Sequence, residues 1–135
     1  MTHRIHCVLL IDDNEADNYF HRRTILENGF AEQVICFDMA DEALGAVRSG
    51  TVSPNLIFLD INMPGMDGWE FLEEYVRLPK DTTRAVVVIM LTTSLNPVDK
   101  NRAESLPIMA SFCHKPLTAS VLEQILREHF GENYA

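Results

Sequence analysis

Apolar and polar positions along this chain fall into blocks. Four short apolar runs each stop on a polar residue. Cys7-Val-Leu-Leu-Ile runs into Asp12 and Asp13, Leu56-Ile-Phe-Leu into Asp60, Val86-Val-Val-Ile-Met-Leu into Thr92, and Met109-Ala-Ser-Phe-Cys-His into Lys115-Pro116. Short runs rich in branched and aromatic residues and bounded by turn signals predict interior strands of a parallel sheet. The first run extends back to Ile5, and Gln33-Val-Ile-Cys-Phe37 supplies one further strand.

Helical signals fill the gaps. Asn14 is a cap before Glu15, Ala16 and Asp17, and the helix they open stops at Asn28-Gly29. Its apolar stripe of Ala16, Phe20 and Thr24 is thin, so the caps carry that prediction. A second helix is predicted over 39–48, closed by Ser49-Gly50, and a third over 68–76 with Trp69, Leu72 and Val76 on one side. The polar stretch 78–83 contains a proline and reads as an exposed loop. Asn96-Pro97 opens a short, largely charged helix over 98–104, and Thr118 caps a last one in which Val121, Leu122, Ile125 and Leu126 repeat at core spacing.

Five strands alternating with five helices predict a three-layer α/β/α sandwich with right-handed crossovers and helices on both faces of a five-stranded parallel sheet. The carboxyl ends of parallel strands share one edge, where ligands of open α/β sheets bind. Asp12, Asp13, Asp60, Thr92 and Lys115 are therefore expected to converge. Three carboxylates gathered there repel, at roughly 4 kcal/mol per pair about 4 Å apart in an effective dielectric of about 20. A cationic partner is required, and a hard divalent ion such as Mg2+ suits a site offering two or three oxygens.

With 135 residues, 47% of them hydrophobic, the chain is long enough for one self-sufficient core, and positions 1–135 are expected to form a single domain with no output domain. No apolar run nears the ~20 residues that cross a bilayer, and no charged lead precedes a cleavable apolar segment. The expectation is a soluble, cytoplasmic protein. Cys7, Cys36 and Cys113 each fall inside a predicted strand, as free buried thiols of a reducing compartment do. The net charge of −9 argues against nucleic acid or an anionic membrane as partner. The one compact basic group, His21-Arg22-Arg23, reads as a solvated helix face paired with nearby acids.

An acidic pair, an Asp followed by Met-Pro-Gly-Met-Asp-Gly, then a Thr and a Lys-Pro, in this order and each after a strand, resemble the receiver domain of bacterial two-component response regulators. That resemblance implies a flavodoxin-like (CheY-like) fold with strand order 2-1-3-4-5. It also implies that Asp60 accepts a phosphoryl group from a histidine kinase or histidine phosphotransfer protein. Mg2+ would be held by Asp13, Asp60 and the backbone carbonyl of Asn62, with Asp12 acting through a water. Lys115, aimed by a cis bond to Pro116, would face the phosphoryl oxygens, while Thr92 and Phe112 would form a switch reporting to the last two helices and the last strand. Such a protein is no enzyme beyond its own phosphorylation and dephosphorylation, is a monomer or a phosphorylation-dependent homodimer, and acts on a protein partner. Leu91-Thr-Thr-Ser94 is similar to single-domain regulators of phytochrome-type kinases.

Two positions depart from the commonest pattern: Thr93 is branched where a very small residue is usual, and His114 is more polar than usual. Blander readings stand beside these. Asp12 and Asp13 can be a helix cap and its neighbour, Asp60 can cap the turn that follows, and Trp69 can be packing. His3, His6 and Cys7 include metal-ligand types, but adjacent strand residues point to opposite faces. A haloacid-dehalogenase-like phosphatase also forms an aspartyl phosphate, yet it wants a second Asp where Asn62 stands. A degenerate receiver serving as a docking module is the other alternative.

Overall fold

The computed structural model describes residues 4–83, 86–93, 97–105 and 110–131. His3, Ser94, the Asn96 cap and Met109 lie outside these segments. Five parallel strands, β1 (Ile5–Ile11), β2 (Ala31–Phe37), β3 (Leu56–Asp60), β4 (Val87–Thr92) and β5 (Ala110–His114), form one sheet in the order β2-β1-β3-β4-β5. Helices α1 (Glu15–Glu27), α2 (Ala40–Ser49), α3 (Gly68–Tyr75), α4 (Lys80–Thr83), α5 (Pro97–Glu104) and α6 (Ala119–Phe130) complete the order.

The central strands carry continuous apolar runs because both of their faces are covered. Val8, Leu10, Leu56, Phe58, Ile89 and Leu91 pack with Ile25 of α1 and with Leu122 and Leu126 of α6. Their alternate neighbours Leu9, Ile11, Ile57, Leu59, Val88 and Met90 pack with Leu44 and Val47 of α2 and with Phe71, Leu72 and Tyr75 of α3. Register locks this division, since Leu9 lies beside Ile57 and Ile57 beside Val88, and a slip of one residue would exchange the two cores.

Three expectations need correction. Residues 80–83 are not loop but a one-turn helix, anchored by buried Leu78 just before it. The inner face of α1 is Asn18, His21 and Ile25, whereas Ala16 and Phe20 face solvent. Asn18 is admitted because its amide donates to the carbonyl oxygens of Asp12 (2.8 Å) and Phe37 (3.4 Å). His21 is likewise buried rather than part of a solvated basic face, and burial lowers its pKa, with Asp17 pulling the other way. The exposed pairing expected of that region is made by Arg23, whose Nε lies 3.0 Å from Glu27 Oε1. Among the cysteines, all free, Cys7 is buried and Cys36 and Cys113 are half-buried, with burial raising each thiol pKa. No helix among the described residues is long and apolar enough to cross a membrane.

Candidate functional site

Asp12 follows β1, Asp60 ends β3 and Lys115 follows β5, so the sheet delivers all three to one edge. Ligand oxygens of Asp12, Asp13 and Asp60 lie within 4.8 Å of one another, with Asp12 and Asp60 buried and Asp13 exposed. An open cleft of about 390 Å³ runs over them, lined also by Asn14, Asp17, Asn62, Thr93 and Lys115. A larger groove of about 1040 Å³ lies between α1 and β2, lined by Tyr19, Arg22 and Cys36 among others, but it gathers none of these acids. Convergence of chemistry rather than size selects the smaller cleft.

Each acid is fixed by its own local structure. Asp12 Oδ1 accepts from the Asn14 backbone N–H at 2.9 Å, and Asp12 Oδ2 accepts from Lys115 Nζ at 2.7 Å. Asn14 caps α1 by accepting from the Asp17 N–H at 3.0 Å. After Asp60 the chain turns through Pro64 and Gly65, where φ is +74°, a value that favours glycine. It then enters α3 through a capping box of Asp67 and Glu70. Gly68, the first residue of α3, lies against the Asp60-Ile61 backbone: a Cβ there would sit 2.6 Å from the Asp60 carbonyl oxygen and 2.9 Å from Ile61 Cα. A glycine is thus required for α3 to support the Asp60 turn.

Electrostatics set Asp60 apart. Burial, reinforced by the neighbouring charge of Asp12, raises its pKa from 3.8 to about 6, even though Lys115 Nζ lies 3.4 Å from its Oδ1. Lys115 gives its shorter hydrogen bonds to Asp12 and, at 3.0 Å, to Asp17. Burial works to lower the lysine's pKa, and those two bonds together with the charges of Asp12 and Asp60 outweigh it, so the ammonium is strongly retained. The donor set, three convergent carboxylates with one raised in pKa, is able to hold a divalent cation that would relieve the crowding of charge.

The remaining predicted residues fall around this centre. Asn62 lines the cleft. Thr92 is buried at the end of β4, and its carbonyl oxygen accepts from the Lys115 N–H at 2.8 Å, while exposed Thr93 is the threonine that lines the cleft. The Lys115-Pro116 bond is cis. His114 is exposed, with Nδ1 2.6 Å from the Lys115 carbonyl oxygen. Phe112 stands away from the cleft, half-buried on the α3 side with its ring centroid 6.2 Å from that of Trp69. Arg102 of α5 lies 4.7 Å over the Trp69 ring and places Nη2 2.9 Å from Glu73 Oε1, joining α5 to α3.

Asp17 is the site residue that sequence reasoning missed. An acid at the third position of a helix reads as a favourable first-turn charge, and only its place just under one helical turn past the Asn14 cap, five residues after Asp12, hinted at a shared partner.

The family model for the response regulator receiver domain matches residues 8–127. The chain belongs to this family. It is 30% identical over 125 residues to the probable methanogenesis regulatory protein FilR2 of Methanothrix harundinacea, covering 90% of this chain and 79% of that protein. It spans only 7% of hybrid signal transduction histidine kinase B and 10% of hybrid signal transduction histidine kinase C of Dictyostelium discoideum, which it also matches. A two component response regulator from Cytophaga hutchinsonii superposes with a TM-score of 0.84 at 28% identity, over 95% of this chain and 98% of that one. The bacteriophytochrome response regulator AtBRR gives a TM-score of 0.75 at 25% identity, over 95% and 94%. The order β2-β1-β3-β4-β5 expected of a receiver is the one observed.

Proposed function

We propose that this receiver domain accepts a phosphoryl group on Asp60, in the presence of Mg2+, from a histidine kinase or histidine phosphotransfer protein, and thereby changes its affinity for a protein partner in the cytoplasm. The observation that carries the reading is a buried carboxylate at the end of β3, raised to about pKa 6 beside two further acids and 3.4 Å from a lysine. Such crowding is costly unless the site is used.

An Asp60 carboxylate oxygen attacks phosphorus, the new O–P bond forming as the P–N bond to the donor imidazole breaks and its electron pair leaves with nitrogen. Asp13, Asp60 and the Asn62 carbonyl would hold Mg2+, and Asp12 would act through a water. When bound, Mg2+ supplies charge neutralisation for a group that adds roughly two negative charges. Lys115 then turns toward the phosphoryl oxygens and Thr92 donates its hydroxyl to one of them. Movement of Thr92 would be transmitted through Phe112 to the surface formed by α5, β5 and α6. The domain acts on no substrate but itself, as a monomer or as a homodimer formed on phosphorylation. An aspartyl-phosphate phosphatase would need a second acid where Asn62 stands.

Acetyl phosphate or beryllofluoride with Mg2+ should modify the wild type at one site, read by intact-protein mass spectrometry for the first reagent and by 19F NMR for the second. The Asp60→Asn variant should remain unmodified. Equal responses from the two proteins, or none from the wild type, would favour a docking module instead, and multiple turnover of aryl phosphates would favour a phosphatase.

A further inference from the structure

Among the described residues Lys115 has three carboxylate neighbours, and Asp60 is the farthest of them, at 3.4 Å against 2.7 Å for Asp12 and 3.0 Å for Asp17. Asp17 differs from the other two in not belonging to the convergent acid cluster and in being more exposed, with 37% of its side chain accessible against 3% for Asp12 and 10% for Asp60. Its orientation follows from a competition at the start of α1. In a capping box the third helical residue accepts from the N-cap N–H. Here the Asn14 N–H is taken by Asp12 Oδ1, which leaves the Asp17 carboxylate to turn to the lysine instead.

We propose that Asp17 is a positioning residue for Lys115, holding the ammonium against α1 so that a divalent cation can be held by Asp13 and Asp60, with Asp12 acting through a water, while the lysine stays in the pocket. This rests on the phosphoacceptor reading above. Without Asp17 the ammonium leans wholly on Asp12 and Asp60, and any cation must first break those two pairings. With it, the lysine loosens from both while keeping a charged hydrogen bond, and remains within reach of whatever group arrives on Asp60.

The test is a double-mutant cycle of Asp17→Asn and Lys115→Met, read as Mg2+ affinity by isothermal titration calorimetry at neutral pH, with circular dichroism to verify folding and Lys115→Gln as the second variant should the methionine protein fail to fold. Asp17→Asn is expected to weaken Mg2+ binding about fivefold when Lys115 is present and less than about twofold when it is absent, because charge-assisted partners in one network couple. Equal weakening in both backgrounds would make Asp17 a simple remote charge and overturn the proposal, as would no change in either. Absence of Mg2+ binding by the wild type would overturn the phosphoacceptor reading and this inference with it.

Discussion

Replacing Asp60 by asparagine should stabilise the metal-free fold at neutral pH. The side chain keeps its shape and the acceptor oxygen facing Lys115, while a charge is removed that the folded site disfavours. The carboxyl group holds its proton up to about pH 6 in the fold, against an ordinary value of 3.8. Between these values the native state binds more protons than the unfolded chain, so stability falls as pH rises through that window, and the full cost is present above it. At about 1.4 kcal/mol per pH unit the ceiling is about 3 kcal/mol, and about 1–3 kcal/mol is expected once relaxation is allowed. Lys115 is not stranded by the change, because Asp12 and Asp17 remain at 2.7 and 3.0 Å. For 135 residues this corresponds to a rise in Tm of about 4–10 °C. Urea and thermal unfolding in EDTA at pH 7 and near pH 4 would measure it, with the gain confined to the higher pH. Saturating Mg2+ should narrow the gap, since the wild type gains more from the cation. An Asp60→Asn protein no more stable than wild type at pH 7, or a gain persisting undiminished near pH 4, would refute the reasoning.

Two further outcomes are expected. Gly68→Ala would drive a methyl group into main-chain atoms of Asp60 and Ile61, which cannot rotate away; a loss of about 1–3 kcal/mol is anticipated, read as a lower urea midpoint together with weaker Mg2+ binding, and an unchanged midpoint would show that α3 shifts freely. Thr93 overhangs the cleft, so Thr93→Ala should admit water to the acyl phosphate and shorten its lifetime several-fold, measured by loss of label after desalting, whereas an unaltered lifetime would mean that the threonine does not shield Asp60.

How much of this was legible in the sequence depended on whether burial and polarity agreed. β1, β3 and β4 were, because both faces of each are covered and their apolar runs are unbroken up to the functional residue. The edge strand β2 was predicted two residues short, since Ala31 is a weak strand former and exposed Glu32 interrupts the apolar run, and both join the strand through pairing alongside Ile5. α1 misled most. Its buried face includes an asparagine and a histidine, which no apolar period detects, and the asparagine is tolerated because backbone carbonyls receive its amide. The Asp12, Asp13, Asp60 and Lys115 constellation was visible because each member ends or follows a strand, while Asp17 was hidden inside an ordinary helix start whose N-cap had already lost its usual partner to Asp12.

The bridge from Arg102 to Trp69 and Glu73 also makes the molecule its own instrument. The chain's one indole lies beneath a guanidinium from α5 and beside the ring of Phe112, so a displacement of either neighbour alters the field and packing felt by the sole tryptophan. Rearrangement between α3 and α5 can therefore be followed in solution by emission from the native protein, with no dye attached and no residue replaced.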